Sequence, residues 1–206
     1  MMLVLIVAGV IAGACLLTLM YALILRVPPF PSTRRERQAV VDLLENEGLP
    51  VTATIYELGC GWGGLLLTLA RHFPCARISG IEMSPIPCIV AWMRLRKFRN
   101  VEVKWRNFKR CDLHDAEAVT AYLMMPQMAP LAEKFDRELR YRTIVVSIAF
   151  GFRHRIIHRS VGRKGPLQAD VELHRWPATC VESKINRRGR EGTFSESIDA
   201  IRKSTR

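Results

Sequence analysis

The segment Ile55 to Gly64, I-Y-E-L-G-C-G-W-G-G, constrains this chain more than any other. A β-branched and aromatic run meets an acid, Glu57, and then glycines at 59, 61, 63 and 64. Leu65, Leu66, Leu67, Leu69 and Ala70 continue as a helix. Four glycines in six residues cost backbone entropy that a plain turn does not require. Strand, glycine-rich turn and helix N-terminus in that order hold a nucleotide-like ligand at the carboxyl end of the first strand of an α/β sheet. About twenty-five residues on, a second short strand ends in Glu82, where a carboxylate can accept both hydroxyls of a ribose.

The flanking pattern predicts the frame around this turn. Ser32 or Thr33 can cap a helix from Arg34 to about Asn46, with Ala39, Val40, Leu43 and Leu44 on one face. Strands are expected at 53–58 and 76–82, and helices at 63–73 and 85–98. A half-exposed strand runs through Val101, Val103 and Trp105, followed by a strand at 118–123 and a helix at 126–139. The unbroken apolar run 143–150 suits a central buried strand, and 155–161 and 169–175 read as two more, joined by a turn at 162–166. This alternation predicts an α/β fold: one Rossmann-like, mostly parallel sheet with helices on both faces, spanning residues 34–181. Residues 182–206 are polar and basic without periodicity, and a disordered tail is expected there.

Leu3 to Leu25 is apolar and uncharged, long enough to cross a bilayer as a transmembrane helix. Arg26, Arg34, Arg35 and Arg37 follow it and nothing basic precedes it. The positive-inside rule then predicts a single-pass membrane anchor with the rest of the chain in the cytoplasm. A cleaved signal peptide calls for a basic start and a shorter apolar core. Residues 26–33, rich in proline, form a stiff spacer. The net charge of +12 suits acidic partners, yet positive-inside bias plus a basic tail accounts for it without nucleic acid. Six scattered cysteines with no CxxC pair point to a reduced compartment, and Cys111 and His114 lack the second pair a zinc site needs, so no metal is expected.

Gly59, Gly61 and Gly64 also satisfy GxGxxG, which keeps a dinucleotide in consideration. Glu57, however, stands where a diphosphate would lie, and its charge suits the ammonium and sulfonium of S-adenosylmethionine. Little chain is left for the added substrate-binding structure of an NAD enzyme. The E-x-G-x-G-x-G form resembles the first motif of class I S-adenosylmethionine-dependent methyltransferases. That resemblance implies that Glu57 and the backbone of Gly59, Gly61 and Gly63 hold the methionine portion of S-adenosyl-L-methionine. It implies that Glu82 binds the ribose and that Asn107 bonds the adenine amino group.

The flanks sharpen the resemblance. V-P-P-F-P-S-T-R-R-E-R-Q-A-V-V-D-L-L, G-I-E-M-S-P-I-P-C-I-V-A-W-M-R-L-R, V-T-A-Y-L-M-M-P-Q-M-A-P-L and I-V-V-S-I-A-F occur in that order. They resemble a family of membrane-anchored protein-lysine methyltransferases acting on the adenine nucleotide translocase and the ATP synthase c-subunit, with short bacterial relatives. The likeness covers roughly residues 3 to 150 and implies a protein substrate in or near the membrane. Thr120-Ala121-Tyr122-Leu123 lacks the acid/Asn-Pro-Pro-aromatic motif of enzymes that methylate adenine or glutamine amides. No catalytic base is identifiable, and the catalytic residues stay unassigned. The competing expectations are a small NAD(P)-dependent oxidoreductase and a membrane-anchored, non-catalytic module of the same fold.

Overall fold

The computed structural model describes residues 1–2, 4–9, 12–13, 16, 20, 32–162 and 169–177. Helix α1 (Arg34–Asn46) starts at Thr33, not Ser32, through a reciprocal cap. The Glu36 N–H donates to Thr33 Oγ1 at 3.3 Å and the Thr33 N–H to Glu36 Oε2 at 2.7 Å. The other Glu36 oxygen accepts the Ala169 N–H at 2.7 Å, so this buried acid also ties α1 to the lead-in of the last strand.

Among the described residues seven strands form one sheet: β1 (Thr54–Leu58), β2 (Arg77–Glu82), β3 (Val101–Trp105), β4 (Ala118–Ala121), β5 (Thr143–Ile148), β6 (Arg159–Val161) and β7 (Val171–Trp176). Their order is β3-β2-β1-β4-β5-β7-β6. The five from β3 to β5 run parallel, β7 lies antiparallel to β5, and β6 antiparallel to β7. The crossover helices are α2 (Gly64–His72), α3 (Pro85–Leu95) and α4 (Met125–Glu138). Side chains alternate across the sheet and build two cores. Ile55, Ile78 and Val146 pack with Leu44, Leu66 and Ala91 of α1, α2 and α3. Tyr56, Leu58 and Val145 pack with Met128, Leu131 and Phe135 of α4. Glu57 therefore points to the α2 side.

Because α2 leaves β1 over one face and α4 leaves β4 over the other, the loops diverge at the β1/β4 boundary. A crevice opens there at the carboxyl ends of the strands. Gly80, in the middle of β2, lets α2 sit low over the sheet, since a Cβ at that position would collide with the Leu66 side chain.

Some boundaries differ from expectation. The strand expected at 155–161 begins only at Arg159. Phe152 is drawn into the second core, its ring centroid 5.8 Å from Phe135 and 5.2 Å from Trp176, and the chain turns there, with His154 at φ 61°. The strand at 118–123 stops at Ala121 and the helix at 85–98 stops at Leu95. The turn expected at 162–166 and the tail at 182–206 fall outside the described residues, apart from Gly162.

The expected single-pass anchor, and with it the membrane placement with a cytoplasmic domain, is corrected. Among the described residues no helix is long and apolar enough to cross a membrane. An apolar run fixes only a length, whereas spanning requires about twenty consecutive helical residues. Residues 4–9 are helical, while much of 3–25 and the spacer at 26–31 lie outside the described residues.

Candidate functional site

The glycine loop is laced to the neighbouring strand. The Gly59 and Cys60 N–H groups both donate to the Ile81 carbonyl, at 2.8 and 3.1 Å. Gly59, Gly61 and Gly63 all adopt positive φ, at 75°, 51° and 75°, where a side chain is strained. Their surroundings differ. A Cβ on Gly59 would stand 2.9 Å from Leu123 Cδ2, while one on Gly61 would meet nothing within 4 Å. A Cβ on Gly63 would stand 3.0 Å from Leu95 Cδ1 and 3.1 Å from Ala91 Cβ. Gly63 thus brings the start of α2 against α3 and does not line the crevice, whereas Gly59 and Gly61 do.

Two buried carboxyl groups brace this loop. Glu82 accepts the Gly61 N–H on Oε2 at 2.8 Å and the Ser84 N–H on Oε1 at 2.7 Å. Each oxygen keeps a further lone pair for a ligand hydroxyl. Glu57 is 6% exposed, and its Oε2 has no hydrogen-bond partner. Burial pushes its pKa well up and the Glu82 charge pushes it further, against the Leu66 backbone N–H and Arg37. Burial thus disfavours the charged form of Glu57, and a cation beside it works in the opposite direction.

Arg37 was not foreseen. Its guanidinium donates to the Ser32 carbonyl and reaches across the start of α2, where a Gly64 Cβ would be 3.4 Å from Nη1. Gly63 supplies no capping side chain to α2. The R-R-E-R run carries the spacing that puts Arg34, Arg37 and Gln38 on one helix face, but nothing in it says which element that face meets.

These groups surround a cavity of about 1020 Å³. Met83, Asn107 and Phe108 line the end at β2 and β3; Tyr122, Leu123, Gln127 and Ile148 line the end at β4 and β5. Asn107 also caps the 3-10 turn Phe108–Arg110, its Oδ1 accepting the Lys109 N–H at 2.9 Å, so turn residue and cavity wall are both correct descriptions. Tyr122 is half-buried, and burial, then Glu36, raises its phenol pKa. Gln127 Oε1 is buried without a partner. Cys60 is a buried filler whose thiol is pushed well up by burial and next by Glu57. Among the described residues six cations line the cavity (Arg34, Arg37, Arg71, Arg94, Arg106 and Lys109) against two carboxyls, Glu57 and Glu82. Elsewhere, Asp112, His114 and Glu138 bring ligating atoms within 4.8 Å of one another, but the Lys134 ammonium already holds both Glu138 oxygens, at 2.5 and 2.6 Å.

Known proteins resemble this arrangement. The family described as the ANTKMT methyltransferase domain matches residues 57–159, from β1 into β6. A protein-lysine N-methyltransferase of Saccharolobus islandicus (strain REY15A) is 28% identical over 130 residues, 62% of this chain and 81% of that protein. An RNA methyltransferase from Salinibacter ruber, solved with S-adenosyl-L-homocysteine, is 27% identical with a TM-score of 0.64. That match covers 74% of this chain and 97% of that one. A precorrin-6y C5,15-methyltransferase from Geobacter metallireducens shares the fold alone, at 16% identity and a TM-score of 0.52 over 70% of this chain and 91% of that one.

Proposed function

The chain belongs to the ANTKMT methyltransferase domain family, and from that premise we propose that it methylates the ε-amine of a protein lysine. It is an S-adenosylmethionine-dependent methyltransferase. One observation carries the cofactor side of this reading: the orphaned, buried Glu57 Oε2 beside a loop whose Gly61 opens on free space. A buried acid lacking a partner fits an ammonium, and the fit is poor for a diphosphate, which disfavours the NAD(P) oxidoreductase.

Glu57, Gly59 and Gly61 hold the methionine portion, with Arg37 on its carboxylate. Glu82 takes the ribose hydroxyls through its remaining lone pairs. Asn107, whose Oδ1 accepts the Lys109 N–H and keeps a second lone pair, accepts from the adenine amino group. Gly63 acts indirectly, by seating α2 against α3. When bound, S-adenosylmethionine supplies a methyl group activated by the sulfonium.

The acceptor must arrive as a neutral amine aligned with that methyl. The cationic lining favours deprotonation of a lysine ammonium, because like charges and desolvation both disfavour the charged form. Glu82 is occupied by the Gly61 and Ser84 N–H groups and Glu57 faces the cofactor ammonium, so the proton leaves to solvent. Tyr122, Leu123 and Ile148 line the entry for the aliphatic stem. The lysine relative from Saccharolobus islandicus supports this acceptor, as does the lack of an acid/Asn-Pro-Pro-aromatic motif after β4. Cell extract incubated with methyl-labelled S-adenosylmethionine and this protein is expected to yield label as N-methyllysine after acid hydrolysis. Label recovered only in nucleosides would overturn the reading.

A pH signature follows from Glu57. Its pKa is raised in the free protein, and an ammonium beside it pulls that pKa back down. Between the ordinary carboxylate range and the raised value, binding therefore releases about one proton, and affinity rises with pH across that window. Calorimetry of S-adenosylhomocysteine in buffers of different ionisation enthalpy is expected to show this release in the wild type and to lose it in Glu57→Gln.

A further inference from the structure

The cations around the cavity are not equivalent. Arg37 is held by the Ser32 carbonyl, Arg94 by the Trp62 carbonyl at 2.6 Å, and Arg106 bonds to the Cys111 side chain. Arg34 and Arg71 are exposed, and among the described residues neither has a hydrogen-bond or ion-pair partner. Both belong to the wall made by α1 and α2. Arg34, Arg37 and Gln38 share one face of α1 at i, i+3, i+4 spacing, and Gly64, Thr68 and Arg71 share one face of α2 at i, i+4, i+7. Arg37 lies over Gly64, so the two faces meet across the groove. Among the described residues the carboxyl groups lining the cavity are Glu57 and Glu82; both are buried, and Glu82 is held by the Gly61 and Ser84 N–H groups. Among the described residues the charge of Arg34 and Arg71 has no carboxylate partner.

We propose that Arg34 and Arg71 form a docking wall for an acidic acceptor peptide, pairing with carboxylates that flank the lysine to be methylated. This rests on the lysine reading above and names the kind of sequence that reading leaves open. A peptide with basic flanks meets uncompensated like charge on this wall, and one with acidic flanks neutralises it. An RNA backbone is also anionic, but among the described residues the α1 and α2 faces present Gln38, Leu67 and Thr68 between the arginines and no aromatic side chain on which a base stacks; Trp62, Phe108 and Tyr122 line the cavity from other segments. The pairs are exposed, so the preference lies mainly in KM and weakens with salt.

Three single-lysine peptides of equal length, with Asp/Glu, Ser/Gln or Arg flanks, and an oligoribonucleotide test this with the full-length protein. The acidic peptide is expected to exceed the neutral one in kcat/KM by about tenfold at low salt, with the basic peptide poorest. Arg34→Gln/Arg71→Gln is expected to bring the ratio close to one while S-adenosylhomocysteine affinity holds, and Arg34→Lys/Arg71→Lys to keep the preference. Equal methylation of acidic and neutral peptides, or a preference that survives in the glutamine variant, overturns the docking wall and leaves the lysine reading standing. Methylation of the oligoribonucleotide with none of any peptide overturns the lysine reading itself, and the wall with it.

Discussion

Gly61→Arg is expected to weaken S-adenosylmethionine and S-adenosylhomocysteine binding by more than about 100-fold while the protein stays folded. Gly61 sits at φ 51°, which costs a side chain about 1–2 kcal/mol, but a Cβ there meets nothing within 4 Å. The added guanidinium has open space to enter beside the loop, where it sets a cation against a cationic cofactor. The neighbouring glycines do not separate binding from folding in this way. A side chain on Gly59 presses on Leu123, and one on Gly63 presses on Leu95 and Ala91, so both disturb packing as well as the site. Thermal unfolding beside calorimetric titration decides the matter. Near-wild-type affinity in a folded Gly61→Arg protein would remove the glycine loop from the cofactor site.

Why the loop was readable while its surroundings were not has a physical basis. Strands β1 and β5 announce themselves because central parallel strands are buried on both faces, and every residue of each is buried. Glu57 and Glu82 were legible because each ends a strand whose carboxyl end the topology sends to the crevice. Local sequence says nothing about which two elements come to lie side by side. Arg37 contributes to the site only because α1 packs beside α2, and Gly63 turns out to serve α3 because Ala91 and Leu95 stand 3.1 and 3.0 Å from where its Cβ would be. Strand β6 was overdrawn because the local pattern from residue 155 carries no sign of the pull of Phe135 and Trp176 on Phe152. The apolar N-terminal run was read as a membrane span from its length, its lack of charge and the arginines after it, and no described helix supports that. The raised pKa of Glu57 was not legible either, because burial is a tertiary property.

The second large effect concerns the amino-acid end of the cofactor. An α-amino acid presents an ammonium and a carboxylate a few ångströms apart, and a site that reads it needs a charge of each sign at that spacing. Glu57 supplies the negative one. Arg37 lies close enough to Glu57 to lower its pKa, and it reaches over Gly64, where the opening N–H groups of α2 lack a side-chain cap. A guanidinium beside a helix N-terminus is a carboxylate site with two independent attractions. Arg37→Gln is therefore expected to weaken S-adenosylhomocysteine binding by about 30-fold, the range for a hydrogen bond to a charged group. Binding of 5′-methylthioadenosine, which keeps the adenosine but has no amino-acid portion, is expected to be unchanged. The comparison is internal to one protein, so general loosening of α1 cannot mimic it. If Arg37 serves only to hold the Ser32 carbonyl, both nucleosides lose affinity together, and the carboxylate must be held by the α2 backbone alone.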